Sequence, residues 1–382
     1  WGHWAHARQL NLQELSAGEQ QQILQSLLDA KELPAGLSET ILARTGGNPL
    51  FIEETLTVLR ESEALSYRTE TWTLDSEVAA KLLPDKVEQL ILTRVQRLSE
   101  NSRELLQTAV VIGQEFEYAL LDAVLSDQVR SRLDQGLDEL AARELIYPAA
   151  GWLPPQITYT FKHGLIQQII YSDLLDSFRR RVHRQVAQAL KNLHGSQEGQ
   201  GIEQIAYHAY RGDDRILAIT SFLQAASRAA EVWANHTAVT WYDLVFEKLK
   251  TFDQVPPLEA EVEKGCTDDQ IKQWTVAALT GKADIQLLIG DYEAAIIGYN
   301  EAIAQSKVNA SFTNAFRADL YRKIADAYQE QGEYDTAEQA LETGLSIVAT
   351  DPSLETGKLY VWQGLLAFRR GMLVDGLNAC HK

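Results

Sequence analysis

One block of residues recurs near the C-terminal end of the chain. Gly290-Asp291-Tyr292-Glu293-Ala294-Ala295-Ile296-Ile297-Gly298-Tyr299 aligns with Gly332-Glu333-Tyr334-Asp335-Thr336-Ala337-Glu338-Gln339-Ala340-Leu341, and Gly371 and Gly376 begin a third copy, with Tyr360 and Gly364 also in register. Small and aromatic residues three and four apart mark helices, and a helix pair of this size cannot bury its apolar face alone. Repetition solves that problem by stacking each pair on the next, so the last third of the chain is predicted to be an α-solenoid.

These residues resemble tetratricopeptide repeats, in which small residues let helices cross closely and aromatics fill the gaps. The glycine-to-glycine spacing is 42 residues and then 39, against about 34 in that family, so the connections are longer. Residues 202–249 read as degenerate earlier pairs, with Tyr207, Ala218, Phe222, Ala225, Ala238, Trp241 and Tyr242 as packing positions. Trp233, Trp241 and Trp274 read as core between helices. A flexible break at His194–Gly201 precedes this region, and an acidic linker from Pro256 to Asp269 interrupts it.

A chain of 382 residues is expected to hold two or three domains. Its net charge of −18 repels phosphate backbones and anionic lipid, so a nucleic-acid reader would need a strong local basic patch. Cys266 and Cys380 stand far apart, which fits a reducing, cytoplasmic compartment and excludes a multi-cysteine zinc site. No apolar run reaches the roughly 20 residues that cross a bilayer. The chain starts at Trp1, with Met372 its lone methionine, and reads as a piece of a longer protein.

Ahead of the repeats the pattern is mixed. Ala7–Leu12 alternates like a short strand, and a helix over 17–30 carries Ile23, Leu24, Leu27 and Leu28. A second helix, Leu37–Arg44, stops at Gly46-Gly47, and a third starts at Asn48-Pro49 with Ile52, Leu56 and Leu59 as its buried stripe. Tyr67–Leu74 reads as a hairpin or extended link, and Pro84 opens a helix with Val87, Leu90, Ile91 and Val95. Helices near 99–112, 117–126 and 129–143, then strands near 145–148 and 157–162 joined by a Gly151–Pro155 turn, give the element order of a winged helix. Ile157, Tyr159 and Phe161 share one strand face. The period turns helical after Gly164, which leaves His163 at the corner.

No phosphate-binding loop of the Gly-x-x-x-x-Gly-Lys-Ser/Thr type occurs, and no strand ends in paired acids for magnesium, so the chain by itself is not expected to be an enzyme. His3 and His6 lack a third clustered metal ligand, and no Gly-x-Ser-x-Gly elbow is present. Taken alone, Gly46-Gly47-Asn48-Pro49 is a helix stop followed by a helix start. His163 is either a corner histidine bonded to backbone or a ligand contact. The Arg179, Arg180, Arg181 and Arg184 cluster is a solvated face or a dock for an acidic partner.

Thr45-Gly46-Gly47-Asn48-Pro49-Leu50-Phe51-Ile52-Glu53-Glu54 resembles the Gly-Asn-Pro motif of STAND signalling ATPases, the large bacterial proteins that join this module to cyclase, kinase or regulator domains. Leu83-Pro84 with Val87, Ile91, Arg94 and Leu98, then Tyr159-x-Phe161-x-His163 and His183, follow that group's order, and the resemblance spans about residues 1–250. It implies a mainly α fold, a helical subdomain plus a winged helix followed by an α-solenoid of tetratricopeptide-like pairs. The implied boundaries are 1–84 for the end of the nucleotide-binding domain and the helical subdomain, 85–180 for the winged helix, 181–255 for degenerate repeats, 256–270 for a linker and 271–382 for the clear repeats.

The resemblance further implies Gly47, Asn48 and Pro49 as nucleotide-binding residues, with Pro49 against adenine, and His163 on the terminal phosphate of ADP. ADP or ATP would then belong to the full-length ATPase, with a protein partner or ligand on the array and an upstream nucleotide-binding domain. In the related plant receptors the histidine stands in a Met-His-Asp motif; here its neighbours are Lys162 and Gly164. A rival reading is a DNA-binding transcription regulator using its third helix, where Arg130, Arg132 and Arg143 are mixed with Asp134, Asp138 and Glu139. A third is a repeat scaffold without nucleotide control.

Overall fold

The computed structural model describes residues 14–68, 70–84, 86–149, 157–194, 201–252, 266–348 and 354–381. The expected strand at Ala7–Leu12, His3 and His6, the Gly151–Pro155 turn, most of the His194–Gly201 break and most of the acidic linker lie outside the described residues. The chain divides into two compact units, Trp1–Arg179 and Arg180–Lys382.

The first unit opens with α1 (Ala17–Leu28), α2 (Leu37–Thr45) and α3 (Pro49–Glu61). Ser16 and Glu19 form a reciprocal capping box at the start of α1. Strands β1 (Leu65–Arg68) and β2 (Thr71–Leu74) make an antiparallel hairpin, followed by α4 (Ser76–Leu82) and α5 (Val87–Gln96). Their shared core holds Leu24, Ile41, Ile52, Leu56, Leu59 and Leu90, so the stripe expected on α3 faces inward. The indole Nε1 of Trp72 donates to the Leu28 carbonyl at 3.1 Å and ties the hairpin to α1.

The rest of this unit is α6 (Glu100–Ile112), β3 (Glu115–Glu117), α7 (Tyr118–Val124), α8 (Asp127–Arg130), α9 (Leu133–Ala142), β4 (Ile146–Pro148), β5 (Thr158–Phe161) and α10 (Gly164–Asp173). Two features depart from expectation. The helix expected over 129–143 is broken at Ser131-Arg132 into α8 and α9, although Val129, Leu133, Leu137 and Leu140 are all buried as one apolar series. A third strand, β3, joins the expected pair to give an antiparallel sheet of order β3-β5-β4. Phe116 of β3 stacks on Tyr159 and tilts against Phe161, which explains why three residues suffice for a strand there.

The second unit is wholly helical among its described residues. The helix α11 (Asp176–His194) contains the point of division; α12 (Ile202–Arg211), α13 (Arg215–Glu231), α14 (Asn235–Phe252), α15 (Asp268–Leu288), α16 (Tyr292–Ser306), α17 (Asn314–Glu330), α18 (Tyr334–Val348), α19 (Leu354–Arg369) and α20 (Leu373–Cys380) follow. The protein is mainly α, and this unit is a solenoid of tetratricopeptide-like pairs. Ala295, Tyr299 and Leu320 fill one inter-helix core and Ala337, Leu341 and Leu359 the next. Gly364 lies so near Gly376 that a Cβ on the former would meet the Gly376 carbonyl at 3.0 Å, the close crossing that the repeat register requires.

Two aromatic expectations fail. Trp233 is 73% exposed because it sits in the left-handed conformation just past the end of α13, and Tyr207 is 47% exposed, its ring steeply inclined to those of His183 and His208 and covered by the Arg211 guanidinium. Trp241 stacks on Phe222 and Trp274 is buried, as expected. Helices α19 and α20 line an apolar groove of about 650 Å³ with Val361, Leu365, Phe368, Leu373, Val374 and Leu377. In register, Leu365 takes the place of Asp284 and Asp326, and Val374 that of Glu293 and Asp335.

Candidate functional site: the His163 corner against helix α3

Helix α3 begins where the sequence says it must. Gly46 caps α2 in the left-handed conformation, and Gly47 follows at φ +79° with its backbone pressed on the chain ahead of α1. A Cβ on Gly47 would stand 2.7 Å from the Leu15 carbonyl oxygen, so no other residue fits without moving the backbone. Asn48 then turns the chain into α3. Its Oδ1 accepts from Leu50 N–H at 3.0 Å and Phe51 N–H at 3.3 Å.

That cap leaves the start of α3 no free N–H groups for a phosphate. Asn48 itself occupies two of them, Ile52 N–H bonds to the Asn48 carbonyl, and Pro49 has none. What Asn48-Pro49 presents outward is an exposed pyrrolidine ring, an apolar surface rather than an anion cradle.

Pro49 and Glu53 stand one helical turn apart on α3, and therefore on one face. Facing Glu53 is the corner where β5 ends and α10 begins. His163 occupies the N-cap position of α10 with extended backbone and makes no side-chain cap bond. Its Nε2 lies 3.2 Å from Glu53 Oε2, while Lys162 Nζ lies 2.7 Å from Glu53 Oε1 and 2.6 Å from Glu144 Oε2. The structure thus brings the Gly47-Asn48-Pro49 turn and His163 into one neighbourhood, linked by two residues not chosen as site residues, Glu53 and Lys162. Each was visible in the sequence: Glu53 as the residue one turn after Pro49, Lys162 as the oddity beside the histidine.

The charges there support each other. Burial by itself would raise the Glu53 carboxyl, but the hydrogen bond and charge of Lys162, followed by His163, outweigh it and hold the group below the usual carboxylate range. The hydrogen bond from Lys162 likewise holds Glu144 low. Burial pulls the Lys162 ammonium down, yet its bonds to Glu144 and Glu53 leave it above its ordinary value. The cluster is half-buried: the Glu53, Lys162 and His163 side chains are 27%, 19% and 35% exposed.

The neighbouring residue on α3 faces the other way. Glu54 is fully buried and ion-paired with Arg94 of α5, which also donates to the Arg143 carbonyl and approaches Glu61 at 3.5 Å. Successive carboxylates of α3 are thereby tied to two different parts of the unit.

Of the three basic residues on which a DNA reader would draw, Arg132 is exposed and the other two are engaged locally. Arg130 donates to the Asp122 and Leu125 carbonyls and pairs with Asp127, while Arg143 donates to the Arg97 carbonyl and pairs with Glu139. In the arginine cluster, Arg179 lies over the Tyr171 ring and Arg184 donates to the Gly212 carbonyl. Among the described residues no three His, Cys, Asp or Glu side chains are grouped to hold a metal ion, and no helix is long and apolar enough to cross a membrane.

A family model described as a domain of unknown function (DUF8739) matches residues 16–67, which include the Gly47-Asn48-Pro49 turn. An uncharacterized protein of Rhizobium meliloti (strain 1021) is 30% identical over 196 residues, 50% of this chain and 18% of that protein, so the match spans under a fifth of its relative. Among solved structures, a Signal Transduction ATPase with Numerous Domains protein with a tetratricopeptide repeat sensor, from Pyrococcus horikoshii, is similar over 97% of this chain and 72% of its own, at 13% identity and a TM-score of 0.30.

Proposed function

We propose that this chain is the regulatory part of a STAND-type signalling ATPase. In this reading α1–α4 belong to the helical subdomain, α5 to α10 are the winged-helix domain, and the tetratricopeptide-like array receives a protein partner or ligand. Pro49 would lie against adenine, with Gly47 and Asn48 shaping the turn, and His163 would bond a phosphate of ADP. The observation that carries the reading is the placement of Glu53: one turn from Pro49, it is gripped by Lys162 and His163, so the two motifs that the resemblance names face one place.

The strand order β3-β5-β4 following α6, and the helices between its strands, support the winged-helix assignment. The engaged state of Arg130 and Arg143 favours nucleotide control over DNA reading. Mechanistically the site would be a switch: ADP bridges α3 and the corner, and partner binding on the array shifts the population toward an open form that exchanges nucleotide. The test is nucleotide retention by the purified full-length protein carrying His163→Ala. Loss of retained ADP with raised basal output is expected. Unchanged ADP content and output would sink the assignment of His163.

A further inference from the structure

We infer that Glu53 is a built-in competitor of the nucleotide, a carboxylate latch that holds α3 on the corner and is displaced when a nucleoside diphosphate binds Lys162 and His163. The inference rests on the nucleotide reading above and adds to it the regulation of that site. Three features carry it. Both oxygens of Glu53 are used, each by a different cationic or hydrogen-bonding side chain, at 2.7 and 3.2 Å. Those two side chains are consecutive and sit at the junction of a strand and a helix, where one anion can reach both. The cluster is only half-buried, so an incoming anion has access to it.

A carboxylate and a phosphate oxygen ask for the same partners, and Lys162 and His163 cannot satisfy both fully. Glu144 sharpens the competition. It already holds Lys162 from the other side at 2.6 Å, so the ammonium remains beside the corner when Glu53 lets go. The neighbouring Glu54–Arg94 pair is buried and keeps α3 attached while Glu53 exchanges. The device therefore has one fixed and one releasable carboxylate on adjacent residues of the same helix. Release of Glu53 would couple phosphate arrival to a change at the corner without detaching the helix.

The experiment measures ADP affinity of the full-length protein by titration calorimetry for the unmodified chain, Glu53→Gln, Glu53→Ala and His163→Ala. Removing the competing charge should tighten ADP binding by about fivefold in both Glu53 variants, the scale of a half-exposed ion pair. His163→Ala should weaken it. A Glu53 residue that merely stabilises the fold would instead leave ADP affinity unchanged or lower it, and that result overturns the latch while the His163 effect still stands. If His163→Ala also binds ADP unchanged, the nucleotide reading and the latch fall together. Amide exchange gives a second readout in the same proteins: the Ile166 amide, bonded to the His163 carbonyl at 3.0 Å, should exchange faster in Glu53→Gln and regain protection on adding ADP. Protection that is unaltered by the substitution argues against a latch.

Discussion

Nε2 of His163 lies 3.2 Å from Oε2 of Glu53, a bond that spans 110 residues of sequence and joins the first turns of α3 to the end of the small sheet. Because Lys162 takes the other oxygen of the same carboxylate, the corner behaves as one electrostatic unit.

Its pH dependence follows from the direction of each shift. Glu53 and Glu144 are held below the ordinary carboxylate value of 4.5, so their contribution to stability is complete above that value and is lost as pH falls through their lowered pKa values. Lys162 is held above 10.5, so its contribution is complete below that value and is lost as pH rises through the raised one. Lys162→Met should lower the melting temperature at neutral pH by roughly 2–4 °C. The gap between variant and parent should narrow as the buffer is taken from about pH 6 to about pH 3. A gap independent of pH would mean that packing of the lysine stem, not its charge, is what matters.

The two glycines before α3 should respond very differently. Gly46 has open space where a Cβ would go, whereas Gly47 meets the Leu15 backbone, and both have positive φ. Gly46→Ala is expected to cost about 1 kcal/mol, and Gly47→Ala about 3 kcal/mol or more in urea unfolding. Equal costs would show that conformational strain alone governs the turn.

Glu54 and Arg94 form a buried pair, and breaking it from one side strands a charge. Glu54→Leu or Arg94→Met alone should destabilise by about 3–5 kcal/mol, while the double replacement Glu54→Leu with Arg94→Met recovers much of that loss. A double-mutant cycle by chemical denaturation measures it. Additive losses would deny the coupling.

In the second unit, Gly281 of α15 sits directly under the phenol of buried Tyr242 on α14, leaving no room for a Cβ. Gly281→Ala should destabilise by about 1–3 kcal/mol through overpacking. Adding Tyr242→Leu should return part of that, read as a rise in melting temperature of the double variant over Gly281→Ala.

Much of this architecture is local and therefore legible in the residues. Gly46-Gly47-Asn48-Pro49 specifies a helix stop and start by backbone chemistry alone, and the change of period at His163 marks a corner without knowledge of neighbours. Strand β3 was not legible, because its identity depends on Phe116 meeting Tyr159 and Phe161 from more than 40 positions away. The α8–α9 break was hidden by an uninterrupted helical spacing of apolar residues. Trp233 misled because a large aromatic at repeat spacing ordinarily packs inside, whereas its backbone conformation turns it outward. The site was half legible: motif residues announce themselves by type, but the grip of Lys162 and His163 on Glu53 exists only after folding.

The repeat register has a consequence for how the array meets salt. Seams between neighbouring helices are crossed by surface ion pairs, Lys282 with Asp243, Lys323 with Asp284, Arg369 with Glu330, and Arg370 with Asp335 and Glu338. On α19 and α20 Leu365 and Val374 replace the acids, so that face is oily. Ionic strength then acts with opposite sign on the two: simple electrolyte screens the charged seams and makes the stack more pliant, while sulfate-type salts make the oily face more adhesive. A solenoid built this way softens along its charged seams under conditions that make its α19–α20 face stick.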